Sequence, residues 1–169
     1  MTFQVGEKVV YPSYGVGTVE SISARSFGSN FERFYLLRFN VGGMTVMAPF
    51  SRAASMGIRR ISKSREVSRV LSFLSSGVCG VQPDWKVRLR ENAAKLQSGD
   101  LQKTAEVLKS LLLLQSQHPL SFSERRMLMS ACRMVVAEIS TARGAVEPLA
   151  ATLLARTLAK AGLKLPAAA

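Results

Sequence analysis

The spacing of apolar residues changes near residue 60, and this change restricts the chain to a two-part fold. Before it, apolar residues alternate in short segments punctuated by glycine, and after it they recur every three or four residues. The first pattern is typical of β-strands and the second of amphipathic helices. We therefore predict an α+β chain, with a β domain over residues 1–60 and an all-α domain over residues 61–169.

The first domain is predicted to be a small antiparallel barrel of four or five strands. Gly28-Ser29 and Gly42-Gly43 lie between strand candidates, where hairpins turn. Residues 33–39 carry apolar side chains on both faces, which indicates an interior strand. The expected strands, rich in Val, Tyr, Phe, Leu and Thr, are residues 8–12, 16–24, 33–40 and 44–49.

The second domain is predicted to contain five helices with recognisable ends. Gly99 followed by Asp100 has the pattern of a helix end and a new N-cap. Ser121 and Glu124 have the spacing of a capping box, in which a hydroxyl and a carboxylate satisfy two backbone amides. The expected helices are residues 64–76, 84–97, 101–116, 122–141 and 145–162.

An excess of positive charge predicts a polyanionic partner. Lys and Arg number 23 against 11 Asp and Glu, so the net charge is +12. Hydrophobic residues make up 47% of the chain, which supports a buried core and excludes a disordered basic tail. Such a folded, basic chain most often binds nucleic acid. Residues 1–60 carry +4 and residues 61–169 carry +8 of this charge.

The sequence has no feature typical of a membrane or exported protein. The longest purely apolar runs, such as Leu111–Leu114, have four residues, whereas a spanning helix needs roughly 18 apolar residues. Residues 1–8 lack the graded pattern of a signal peptide. Cys79 and Cys132 have no second ligand at metal-binding spacing; two free thiols are expected, with one disulfide as the alternative. We therefore expect a cytoplasmic protein.

The motifs of common catalytic and cofactor sites are missing from the sequence. His118, beside Pro119 in a connection between helices, has no partner that would orient a general base. Gly15-Val16-Gly17 lacks the third glycine of a dinucleotide fingerprint and is interpreted as a strand corner. No P-loop, zinc motif or paired carboxylates occur. We predict a binding protein without cofactor or metal, and the rival class is an enzyme or enzyme subunit.

Two sets of motifs, in the right order and at the right separation, resemble those of the CarD/CdnL family of bacterial transcription regulators. The first set is also similar to the polymerase-interacting module of transcription-repair coupling factors. The similarity runs from about residue 3 to about residue 140. It rests on Phe3–Pro12, Gly15–Gly17, Met44–Pro49, Gly57–Arg59, Asp84–Trp85, Leu96–Asp100, Ser121–Leu128 and Ala131–Glu138.

The resemblance implies an adaptor between RNA polymerase and promoter DNA. Its Tudor-like, or SH3-like, barrel would bind the polymerase β subunit, and its helical domain would bind promoter DNA at the upstream edge of the melted region. The family's tryptophan, matched by Trp85, would enter the minor groove and stabilise the open complex. We expect a monomer with no membrane partner. The alternative is a basic nucleic-acid-binding module that acts without polymerase.

Trp85 and five basic residues are the predicted DNA contacts. Trp85 shares a helical stripe with Leu89 and Leu96, so ordinary core packing is the alternative interpretation. Its position in a first turn, with cations beside it, favours a wedge. The three cations that follow it on the same helix point in different directions, so not all are expected to reach DNA. The predicted phosphate contacts, for which a solvated face is the alternative, are Lys86, Arg88, Arg90, Arg125 and Arg126.

The resemblance also implies four polymerase contacts in the barrel. Arg25 matches a basic residue that contacts polymerase in family members. Some members carry arginine where this chain has Met47, so a hydrophobic contact is expected there. Leu37, Met47 and Pro49 lie on the strands that match the polymerase-facing edge, where strand addition is a reasonable docking mode. The alternative for these residues is plain barrel packing.

An extra basic amphipathic helix is predicted from about residue 144 onward, beyond the similarity. A helix of this kind can pack on its own domain, bind a partner or lie on an anionic membrane. The sequence leaves these alternatives open.

Overall fold

A computed structural model describes residues 2–12 and 14–167 and separates an N-terminal sheet from a C-terminal set of helices. Unit 1 ends at Ile61 and unit 2 begins at Ser62. Each unit has a hydrophobic core of its own. The predicted α+β class is confirmed.

Unit 1 is a five-stranded antiparallel sheet in the order β4-β3-β2-β1-β5. Its first hairpin turns at Gly28, whose positive φ of 63° suits glycine. The second hairpin turns at Gly42 and Gly43, so both predicted turns are confirmed. The strands are β1 (Lys8–Tyr11), β2 (Gly15–Phe27), β3 (Asn30–Phe39), β4 (Thr45–Pro49) and β5 (Arg59–Arg60).

Strand β3 lies between β2 and β4, as predicted for an interior strand, and its side chains alternate between two environments. Tyr35 and Leu37 are fully buried in the core of unit 1. Phe34 and Leu36 point to the opposite side, where they are half-buried. The sheet therefore has one core face and one face that is partly open to solvent.

Unit 2 contains five helices whose caps agree with the sequence signals. The Asp100 carboxylate accepts a hydrogen bond from the backbone N–H of Lys103 at 2.8 Å. Ser121 and Glu124 form the predicted capping box, and Gly144 ends the same helix in the left-handed conformation. The helices are α1 (Ser64–Ser76), α2 (Trp85–Gln97), α3 (Leu101–Gln117), α4 (Phe122–Arg143) and α5 (Glu147–Ala159).

The C-terminal helix α5 packs on its own unit. Ala150, Leu154 and Leu158 are buried in the same hydrophobic cluster as residues of α1, α3 and α4. Burial of an apolar stripe of this kind is what fixes an amphipathic helix in place. Of the three alternatives left open by the sequence, packing on its own domain is the one observed.

A buried lysine closes the C-terminal end of α1. Lys109 on α3 is only 4% exposed, and its ammonium donates to the backbone carbonyls of Phe73 at 2.7 Å and Gly77 at 2.5 Å. The last carbonyls of a helix have no partner within the helix, and the dipole places negative charge there. The ammonium satisfies both requirements and joins α3 to α1.

We predict that Lys109→Met lowers the free energy of unfolding by about 2–3 kcal/mol, because two charge-assisted hydrogen bonds are lost and the Phe73 carbonyl keeps only the Gly77 backbone N–H as a donor. Urea unfolding followed by far-UV circular dichroism measures this change. Lys103→Met is the matched control, since Lys103 is exposed on the same helix. Equal stability of the two variants would contradict the prediction.

Candidate functional site

The first turn of α2 presents Trp85 to solvent. The Asp84 carboxylate accepts hydrogen bonds from the backbone N–H groups of Lys86 at 2.9 Å and Val87 at 3.0 Å, so the helix begins at Trp85. The Trp85 side chain is 61% exposed, although large aromatic residues are mostly buried. Core packing, the alternative interpretation of Trp85, is therefore wrong.

Two of the three cations that follow Trp85 are also exposed. Lys86 and Arg90 are four residues apart and lie on one side of α2. The Lys86 ammonium is 5.6 Å from the centroid of the Trp85 ring. The start of α2 thus places an exposed aromatic ring beside positive charge.

Arg88 points inward, and its prediction as a phosphate contact is wrong. The residue is 8% exposed, and its guanidinium donates to one carboxylate oxygen of Glu124 at 2.7 and 2.9 Å. A third donor bonds the carbonyl of Gln82 at 2.6 Å. Arg88 lies two positions beyond Lys86, which is roughly 200° around the helix, so its side chain points toward the core.

Glu124 holds the starts of α2 and α4 together. One of its oxygens accepts from Arg88, and the other accepts from the Ser121 backbone N–H at 3.0 Å and hydroxyl at 2.9 Å. Burial raises the pKa of Glu124, but hydrogen bonds from Ser121 and Arg88 outweigh it and hold the pKa below its ordinary value of 4.5. The carboxylate is therefore ionised at neutral pH.

The start of α4 adds a second exposed aromatic residue at the end of unit 2 that carries Trp85. Phe122 is 67% exposed, and the Arg126 guanidinium is 5.8 Å from the centroid of its ring. Arg125 is exposed beside them, as expected for a phosphate contact. Sequence reasoning missed Phe122, and the available signal was an aromatic residue at the first helical position after an N-cap serine.

Unit 1 carries a separate apolar surface on the open face of its sheet. Met47 and Pro49 on β4 pair with Leu36 and Phe34 on β3, and all four side chains are half-buried. Arg25 is exposed on β2, farther along the same face. We call these five residues the outer face. Three of the four predicted polymerase contacts, Arg25, Met47 and Pro49, belong to it.

Leu37 is the exception among the predicted polymerase contacts. It is 0% exposed and pairs with Val19 and Val46 on the core face, so it cannot touch a partner of the folded protein. Side chains alternate along a strand, so the outward position is its neighbour Leu36. Because β3 has apolar residues on both faces, the sequence did not distinguish the two.

The described residues contain no cluster of three or more His, Cys, Asp and Glu side chains able to hold a metal ion. Cys79 and Cys132 are free thiols, and burial raises the pKa of each. His118 is exposed at the end of α3, in the connection to α4. Among the helices in the described part of the chain, none is long and apolar enough to span a membrane.

We predict that Glu124→Gln is less stable than the wild type at pH 7 and that the difference narrows as the pH falls. Because the pKa of Glu124 is lowered by folding, its stabilisation is present above about pH 4.5 and is lost as the pH falls through the lower folded pKa. Urea unfolding at a series of pH values measures the difference in the free energy of unfolding between the two proteins. Glu91→Gln, which removes an exposed carboxylate of α2, is the control for the change in net charge.

Comparison with known proteins gives matches in both units. Residues 3–62 match the family described as CarD-like/TRCF RID domain, and residues 69–155 match the CarD C-terminal domain. The second match extends into α5, so the expected end of the similarity near residue 140 was too early.

One relative matches over most of both chains. It is the putative transcription factor YdeB of Bacillus subtilis, 30% identical over 145 residues, which cover 86% of this chain and 95% of the relative.

Two solved structures match part of the chain. The N-terminal domain of Myxococcus xanthus CarD is 30% identical, and the match covers 35% of this chain and 79% of that domain. The M. xanthus protein CdnLNt is 38% identical, and the match covers 36% of this chain and 86% of that one. Each has a TM-score of 0.31. From the two family matches and the full-length relative, this chain belongs to the CarD family of transcription factors.

Proposed function

We propose that the protein binds the β subunit of bacterial RNA polymerase through unit 1 and promoter DNA through unit 2, and that Trp85 stabilises the open promoter complex as a minor-groove wedge. The observation that carries this proposal is the 61% exposure of Trp85 at the start of a helix, beside Lys86. Family membership supports the same function and favours a cytoplasmic regulator over an enzyme.

The exposed residues at the starts of α2 and α4 have the chemistry that a wedge requires. An apolar ring that enters a base step partly unstacks it, and nearby cations bind the flanking phosphates. Trp85 supplies the ring, and the Arg88–Glu124 pair fixes its helix to α4. The proposed phosphate contacts are Lys86, Arg90, Arg125 and Arg126, while Arg88 has a structural role.

The outer face of unit 1 has the composition of a protein-binding surface. Met47, Leu36 and Phe34 form a half-buried apolar strip, and exposed Arg25 adds a positive charge at its margin. Methionine, aromatic residues and arginine are enriched at protein interfaces. Strand β4 is also at an end of the sheet order, where a partner strand can be added.

The two surfaces together explain how one small protein would shift the equilibrium between the closed and open promoter complexes. Attachment to polymerase raises the effective concentration of unit 2 near promoter DNA. A wedge that binds the melted and distorted duplex better than the closed duplex shifts the population toward the open complex. This mechanism needs no catalytic group.

We predict that Trp85→Ala shortens the lifetime of the open complex about tenfold, because one base-stacking contact contributes about 1–3 kcal/mol. Dissociation of preformed complexes after addition of a DNA competitor measures the lifetime. The fold should be unaffected because the side chain is largely exposed. Leu149→Ala, which removes another exposed apolar side chain of unit 2, is the control.

We predict that Leu36→Glu and Met47→Glu weaken binding to the isolated β subunit at least tenfold, since a carboxylate would be buried against an apolar partner. Val41→Glu is the control, because Val41 is 76% exposed in the β3–β4 connection and outside the outer face. Titration of the full-length chain against the isolated β subunit, followed by interferometry, measures the affinity. A wild-type chain that binds DNA but not the β subunit would favour the module that acts without polymerase.

A further inference from the structure

The exposed side of α4 carries a continuous stripe of arginine and apolar side chains. Five residues at spacings of three and four share one side of the helix, within an arc of roughly 100°. They line one shallow groove, which we call the α4 groove: Phe122, Arg125, Arg126, Met129 and Arg133.

Arg133 is the charged residue of this groove that the proposed function does not use. It is exposed and lies seven positions beyond Arg126, which returns it to nearly the same side of α4 about 10 Å farther along the axis. Met129 lies between them and is half-buried. Its apolar surface can carry the aliphatic stems of both arginines while their charged ends face solvent.

The α4 groove has no negative charge of its own. Within residues 2–12 and 14–167, the ion pairs involve other cations, and Arg125, Arg126 and Arg133 have no carboxylate within 4 Å. Arg125 and Arg126 are also the fourth and fifth residues of α4, close to the end of the helix where the dipole disfavours a cation. Unpaired arginines at such positions fit an anionic partner.

We propose that the α4 groove binds the DNA backbone and that Arg133 is a phosphate contact that extends the DNA-binding surface along α4. This inference rests on the proposed function, because it continues the surface formed by Arg125 and Arg126. About 10 Å along the helix corresponds to the axial rise of about three base pairs of duplex. The groove therefore matches a row of phosphates rather than a single anion.

The test is the salt dependence of binding to a labelled promoter duplex, measured with the full-length chain by fluorescence anisotropy from about 50 to 200 mM salt. Each phosphate contact contributes about 0.9 to the slope of log K against log salt. Arg133→Gln should reduce the slope by about 0.9 and weaken binding about eightfold at about 0.1 M salt. Arg133→Lys keeps the charge and should restore most of the slope.

Arg156→Gln is the matched control, because Arg156 is exposed on α5 and its replacement changes the net charge equally. An unchanged slope for Arg133→Gln, beside a salt-dependent wild type, overturns the inference but not the proposed function. A wild type whose binding to duplex does not depend on salt overturns both. If Arg133→Gln weakens polymerase binding and leaves the DNA slope intact, the groove contacts protein and the inference is wrong.

Discussion

Arg88 and Glu124 bury two opposite charges at the point where α2 and α4 begin, and the arrangement of the exposed residues depends on this pair. Removing two charges from water is costly unless their remaining donors and acceptors are satisfied. Here the Gln82 carbonyl and the Ser121 amide and hydroxyl satisfy them. The pair also fixes the orientation of α2: with the Arg88 side chain held inward, the side chains of Lys86 and Arg90, two positions before and after it, face solvent.

The sheet of unit 1 separates stability from recognition by the alternation of its side chains. Tyr35 lies on the core face, where its hydroxyl accepts from the Phe3 backbone and its ring stacks on Phe50 at 3.8 Å. Its neighbours Phe34 and Leu36 are outside this core. A substitution on one face therefore alters packing, whereas a substitution one residue away alters a surface.

The helices and strands could be predicted from the sequence, since periodicity and capping are local properties. Asp100, the Ser121–Glu124 box and the turn glycines are where the spacing placed them. The direction of a side chain could not be predicted from the sequence where it depends on contacts with residues distant in the chain. The direction of Arg88 depends on a carboxylate 36 residues away. The choice between Leu36 and Leu37 depends on strand register, which a strand that is apolar on both faces leaves undetermined.

The two ends of the sheet have a consequence for solubility. Exposed edges of apolar sheets are templates for aggregation between copies, and natural proteins limit them by shortness and by proline. Strand β5 has two residues, and β4 has five and ends at Pro49, which has no N–H to donate. The two terminal strands, β4 and β5, thus offer a second copy only short ladders of hydrogen bonds, while the half-buried apolar face stays accessible to a partner.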